Sequence, residues 1–453
     1  MSDEIREFLA KMAAEIEPKP VAPRETIRRA RRKRARTATV GALVVSLMAY
    51  GGFAGVRALT RSTVPGPIAS TLGHQPQVEE CSWTVVPTPN QDLTKYFNHI
   101  DSVEVVSDDD VWATATYYVG QEGGFSAQSM LHWDGSDWVT LPLPTVGTDF
   151  HISDLAAVSP EDVWAVGSFD DESGGANVLS LHWDGAEWAN VPAPNSDKRF
   201  NLLTGVDALS ANDVWAVGAW ATGEVGGTLI EHWGGKAWTI VPSPDKAPDP
   251  VVGASYSRLN AVTALAADDV WAVGSAENVA PAGPSNALIE HWDGTAWTIV
   301  ASPDVPAESG DPYDHLYSIE AASPSDLWAV GDYGTKVQDF TALPEHTLIE
   351  HWDGNGWSVA SSPLLEGRNS LSALAVVSPD EVWAVGSYWQ NDKQNALIEL
   401  WDGSSWTQIE SPVSGASLNG AGVSPTGQVW AVGLVQTGPE TVQTLALRCG
   451  RAG

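Results

Sequence analysis

Four positions of the chain place a histidine or arginine thirteen residues ahead of a recurring tryptophan: His99, His151, Arg258 and His315. Imidazolium and guanidinium groups suit carboxylates, so such a set suits ligand binding. Nearby stretches of the same kind, "DKRF", "PYDH" and "EGRNS", add Arg199, Phe200, Tyr313 and Arg368. Two tryptophans fall outside every repeated slot, Trp220 in "GAWATGEVGG" and Trp389 in "GSYWQNDKQN". Aromatic faces suit sugar rings and peptide side chains, and these ten residues form the candidate ligand-binding set. Five further histidines, His132, His182, His232, His291 and His351, each precede a tryptophan in a separate repeat. Slots in different repeats lie too far apart to share one ion, so packing explains them and no metal is expected. The acidic pairs Asp109/Asp110, Glu161/Asp162 and Asp268/Asp269 suit turns, in which Asp bonds its own backbone. No Gly-x-Ser-x-Gly elbow, His-Glu-x-x-His, phosphate loop or cysteine cluster is present, so no catalytic residue or cofactor is expected. Two carboxylates could hydrolyse a glycan, but nothing in the sequence singles out a pair.

The charge is divided unevenly. Residues 1–36 carry 11 Lys/Arg against 6 Asp/Glu, whereas residues 81–453 carry 11 against 49. The acidic part repels nucleic acid, so no such partner is expected. Thr37 to Val56 is an uncharged run of 20 residues, enough to span a bilayer as one transmembrane helix. Eight basic residues from Arg24 to Arg36 precede it. The positive-inside rule then places residues 1–36 in the cytosol and residues 81–453 outside. The segment ahead of the apolar run is long and no small-x-small site follows it, which favours an uncleaved anchor over a signal peptide. Residues 57–80 are rich in Pro, Gly, Ser and Thr and read as a flexible linker. Residues 2–17 place Ile5, Phe8, Leu9, Met12 and Ile16 on one helical face, which either lies on the inner leaflet or docks a cytosolic partner.

From residue 99 onward the chain repeats. "DVWAVG" or a variant surrounds Trp112, Trp164, Trp215, Trp271, Trp328, Trp383 and Trp430, at spacings of 47 to 57 residues. A second phrase follows, as in "LIEHWDGTAWTIVASP". Each unit reads as four short strands with period-two patterning. The Asp-Gly step predicts a tight two-residue hairpin with both residues at positive φ. Seven four-stranded antiparallel units of this length make an all-β, seven-bladed β-propeller over residues 81–453.

The pattern resembles kelch and tectonin-type propeller repeats, and most of all the tandem "DVWAVG…HWDG..W" propellers of bacterial surface proteins. The kelch double glycine and the sialidase Asp box are missing. The resemblance implies a fold rather than a function, because propellers host unrelated activities. The ends complete each other: "TLALRCG" aligns with "ALIEHWDG", and "CSWTVVPTP" with "TAWTIVASP". The last blade is therefore split, with three strands from the C-terminal end and one from residues 81–89. This alignment sets Cys449 and Cys81 facing each other across the hairpin, within disulfide range.

The expected protein is a single-pass membrane protein with its propeller outside. Its expected role is to bind an envelope protein or glycan at the face where the candidate residues gather, with sensing as a variant. The alternative is a glycan-active hydrolase or lyase with its site in the central mouth.

Overall fold

The computed structural model describes residues 81–90, 96–119, 125–147, 149–171, 174–222, 225–244, 255–278, 285–303, 305, 311–336, 346–363, 365–438 and 441–450. Residues 1–36, 37–56 and 57–80, on which the expected cytosolic segment, transmembrane helix and linker fall, lie outside them. Among the described residues no helix is long and apolar enough to cross a membrane.

The described residues form 28 strands and an all-β fold. The first complete unit shows the pattern. Tyr96–Ser107, Asp110–Val119, Phe125–Trp133 and Trp138–Leu141 pair antiparallel in chain order. The same meander recurs along the chain as the blades of a β-propeller. First strands of successive blades line one central cavity. A single parallel pair ties several of them to the third strand before, as at Phe200↔Ala176, Tyr256↔Gly226 and Tyr313↔Ser285.

Tryptophans fill the spaces between blades. Trp112 packs against Trp183 of the next blade at 5.2 Å between ring centroids, and Trp215 against Trp292 at 5.2 Å. The histidine ahead of the hairpin lies on the same tryptophan, His132 on Trp112 at 4.4 Å, and its Nε2 meets Asp110 at 2.9 Å. Four other blades repeat this Trp–His–Asp arrangement. The histidines are thus packing residues, and the second acid of each pair holds the ring rather than only shaping a turn. Where the slot changes, the partner changes. Leu400 replaces the histidine, and Glu381 bonds Trp383 Nε1 instead. Arg448 replaces it elsewhere and stacks over Trp430 at 5.6 Å.

The ring closes across the chain ends. Ser82–Val86 pairs antiparallel with Thr441–Gly450 as the outer strand of the split blade. Trp83 meets Trp383 of the preceding blade at 5.4 Å, and Trp430 meets Trp133 of the following one at 5.5 Å. Asn419 Nδ2 donates to the carbonyl of Ile100 at 2.9 Å. Cys81 and Cys449 form a disulfide with Cα atoms 5.5 Å apart.

The hairpin differs from expectation. Trp133 pairs directly with Trp138, so four residues form the loop, and Gly135 rather than Asp134 takes positive φ. Asp134 Oδ1 instead accepts the backbone N–H groups of Ser136 and Asp137 at 3.0 Å. A side-chain-capped loop has replaced the two-residue turn. As a result Cys449 faces Trp83, and Cys81 reaches it diagonally from two residues earlier.

Candidate functional site: the axial mouth

Each inner strand bulges once near its middle. The register skips between Ile100 and Ser102, Ile152 and Asp154, Leu316 and Ser318, and at matching places elsewhere. A bulge inserts one residue and re-aims its side chain. The inserted residues are Asp101, Ser153, Thr204, Asn260, Tyr317, Ser372 and Asn419, all polar and all lining the central cavity. The glycine of "VWAVG" makes room for this. At Gly167, Gly274 and Gly331 an added Cβ would collide with the carbonyl oxygens of His151, Arg258 and His315 on the inner strand. In these blades the glycine lets the inner strand approach closely, whereas Ala115 stands in the same slot of the blade that presents His99.

The cavity has a volume of about 380 Å³. Five carboxylates line it, Asp101, Glu104, Asp154, Asp207 and Glu320, and no Lys, Arg or His is among its lining residues. Several are tied into a lacing between neighbouring inner strands. Ser102 Oγ donates to Asp154 Oδ1 at 2.8 Å, and Asp154 Oδ2 accepts the N–H of Val206 at 3.0 Å. Asp207 Oδ2 accepts the N–H of Ala264 at 2.7 Å. Burial, with repulsion from Asp207 and Asp154, pushes Glu104 up to about 8. Burial pushes Asp154 up to about 6 against the pull of its donors. Glu320 is held well above the carboxylate range by burial and by the other three acids.

The predicted residues stand around this cavity in different states. His99 Nε2 meets Asp101 at 2.8 Å, with the exposed Phe97 ring 5.5 Å away. His151 is exposed, its Nδ1 3.2 Å from Gln128 Nε2. His315 Nε2 lies 2.9 Å from Ser285 Oγ, and its Nδ1 lies 3.3 Å from Tyr317 Oη. Tyr317 Oη also donates to Asp332 at 3.2 Å. Arg258 is half-buried in the slot that His315 fills one blade on. Tyr313 is buried beside His315, at 5.4 Å between ring centroids, and offers little surface. Arg199 stacks on the exposed Phe200 ring at 5.2 Å.

The two extra tryptophans part company. Trp389 is 42% exposed, and its backbone N–H donates to the carbonyl of the exposed Arg368 at 2.8 Å. Trp220 is half-buried against the core between two blades, with Lys198 Nζ 5.4 Å from its ring. The ten residues therefore do not converge on one point: they are spread around the mouth. Convergence belongs to the axial carboxylates, which sequence reasoning passed over. Their signal was present, since Glu104, Asp207 and Glu320 each stand eight residues before the "VW" tryptophan in otherwise apolar strands. No group of His, Cys, Asp and Glu among the described residues could hold a metal ion.

The chain matches no family model and no curated protein. Solved structures do match. An ulvan lyase of polysaccharide lyase family PL25, bound to -[GlcA(1-4)Rha3S]-, aligns over 78% of this chain and 95% of its own at 10% identity, with a TM-score of 0.51. That likeness shows the fold alone. Weaker likenesses are to YCF48 bound to D1 peptide (17% identity, 81% and 96% coverage, TM-score 0.44) and to the β-propeller domain of the trilobed protease from Pyrococcus furiosus (10%, 78% and 94%, 0.45).

Proposed function

We propose that the chain is a membrane-anchored binding protein whose seven-bladed propeller lies outside the cell and takes up an envelope protein or glycan at its axial mouth. The observation that carries this reading is the axial cavity itself. Bulged residues from every inner strand that lines it turn polar groups inward, beside five carboxylates and with no Lys, Arg or His among the lining residues. Concave sites with a few convergent polar groups are where ligands bind. The repeats support a surface propeller of the tandem "DVWAVG…HWDG" kind, related in pattern to kelch and tectonin repeats. The basic cluster ahead of residues 37–56 supports the outward orientation. The disulfide supports an oxidising compartment. Residues 2–17 would carry any signal to a cytosolic partner.

The second reading is a glycan-active hydrolase or lyase. Glu104, pushed up to about 8, and Asp154, pushed up to about 6, are the kind of unequal pair that can divide acid and base roles. The lining argues against an anionic glycan such as the one bound by the ulvan lyase, because its charge would meet five carboxylates. The test is to incubate residues 81–453, which hold the whole ring, with envelope fractions. A binding protein returns its ligand intact. Cleaved products that vanish in Glu104→Gln would overturn the binding reading.

A further inference from the structure

One slot between the blades divides the ring into two arcs. It lies two residues before the tryptophan, or Cys449, near the end of each third strand. The blades of Trp215, Trp271, Trp328 and Trp383 carry Glu231, Glu290, Glu350 and Glu399 there, whereas those of Trp430, Trp112 and Trp164 carry Leu447, Leu131 and Leu181. All of these side chains are fully buried. The glutamates face the preceding blade. On the same face, Trp233, Trp292, Trp352 and Trp401 lie 4.9–5.2 Å from Trp164, Trp215, Trp271 and Trp328 across the seam.

Leucine fits such a seam at any pH, but an ionised carboxylate does not unless a cation pairs with it. The preceding blade gives Glu290, Glu350 and Glu399 one hydroxyl each, from Ser243, Ser302 and Ser362. The charged group that acts on Glu231, Glu350 or Glu399 among the described residues is Asp314, which repels Glu350 from the first strand of its own blade. On the outer strand, Ile240, Ile299 and Val359 pair directly with Glu231, Glu290 and Glu350 and stay apolar although 42–45% exposed. Thr140 and Asn190 stand there opposite Leu131 and Leu181. Directly paired side chains share a sheet face, so the branched residues screen the acids from water.

We propose that the arc from Glu231 to Glu399 is a pH-sensitive clasp: its seams close on protonated carboxyls and part when these give their protons to solvent, while the arc of leucines, fastened by Cys81–Cys449, stays shut. Burial pushes Glu231 and Glu350 up to about 8 and Glu399 up to about 7, so ionisation falls close to neutral pH. Rising pH then places negative charge in seams where no cation acts on these three carboxyls among the described residues. Arg258 and His315 stand on first strands of this arc, so the mouth loosens with it.

The test is hydrogen exchange of the full-length chain in nanodiscs, read by mass spectrometry at pH 6, 7 and 8.5 with labelling times scaled to the intrinsic amide rate. Protection of Val225–Trp233, Ser285–Trp292, His346–Trp352 and Lys393–Trp401 should fall roughly tenfold between pH 6 and 8.5. Protection of Phe125–Trp133, Ala176–Trp183 and Thr441–Gly450 should change by less than about twofold. Glu350→Gln keeps the shape and cannot ionise, so it should remove the fall at His346–Trp352 and leave it at Lys393–Trp401. Glu231→Leu, matching the slot in the other arc, should remove it at Val225–Trp233, and it decides the matter if Glu350→Gln does not fold. Equal falls in both arcs would mean general alkaline loosening and overturn the proposal. So would steady protection of the glutamate arc, or a local fall that survives the local substitution.

Discussion

Ser243, on the exit from one blade, donates from Oγ to the fully buried carboxyl of Glu290 in the third strand of the next, at 2.8 Å. Ser302 repeats the bond to Glu350 at 2.8 Å, and Ser362 to Glu399 at 3.1 Å. Glu231 fills the same slot, but Ala193 stands where its donor would be, and both its oxygens lack a partner. Ala193→Ser should therefore stabilise the protein by about 1 kcal/mol in urea unfolding, the usual worth of one such bond. No gain, or a loss, would show that the carboxyl is satisfied in another way.

These glutamates also set a pH dependence. Burial pushes Glu231 and Glu350 up to about 8 and Glu399 up to about 7, from 4.5 in the unfolded chain. Folding thus favours their protonated forms. Their contribution is fully present below about pH 4.5 and is lost as pH rises through 7 to 8. The loop aspartates act oppositely: side-chain and backbone donors lower Asp293 to about 2, so its contribution is lost below about pH 4. The melting temperature should peak between about pH 4 and 6 and fall toward pH 8. Glu231→Gln should flatten the alkaline limb. A melting temperature that rises steadily from pH 5 to pH 8 would contradict the assignment.

The disulfide joins residues 368 apart and fastens the outer strand of the split blade. Cys449→Ser should cost about 2–5 kcal/mol under oxidising conditions. Reduced wild type and reduced Cys449→Ser should then unfold together. An equal loss in both redox states would mean that the buried sulfur packs without bridging.

Trp389→Ala should weaken ligand capture while shifting the melting temperature by less than a degree or two, because Trp389 is largely exposed. Trp220→Ala should instead cost about 1–3 kcal/mol, since the ring packs between blades under Lys198. The reverse ranking in thermal unfolding would contradict the burial assigned to each.

The repeat phrases made the strand order, the split blade and the cysteine pair legible, because each depends on local patterning that recurs. The inner bulge was not legible. It moves Asp101, Ser153 and Tyr317 onto the axis, and it shows only in the pairing of the inner strand with its neighbour, whose slot opposite holds glycine in the blades of Ser153 and Tyr317 but Ala115 in that of Asp101. The hairpin was misjudged for a similar reason: Asp134 bonds the loop backbone, which a dipeptide preference does not encode. The tryptophan count isolated Trp220 and Trp389 correctly as extra residues, but burial separates them, and burial is a property of the packed blades.

The central claim is that the ligand enters the axial cavity. Ser372 lines that cavity from an inner strand, and Ser372→Trp would fill it. The direct measurement is capture of envelope components by the full-length chain, wild type against Ser372→Trp, with melting curves run beside it. The account predicts that the variant melts within a few degrees of wild type and captures nothing that wild type retains. A variant that melts normally and captures the same components would contradict it.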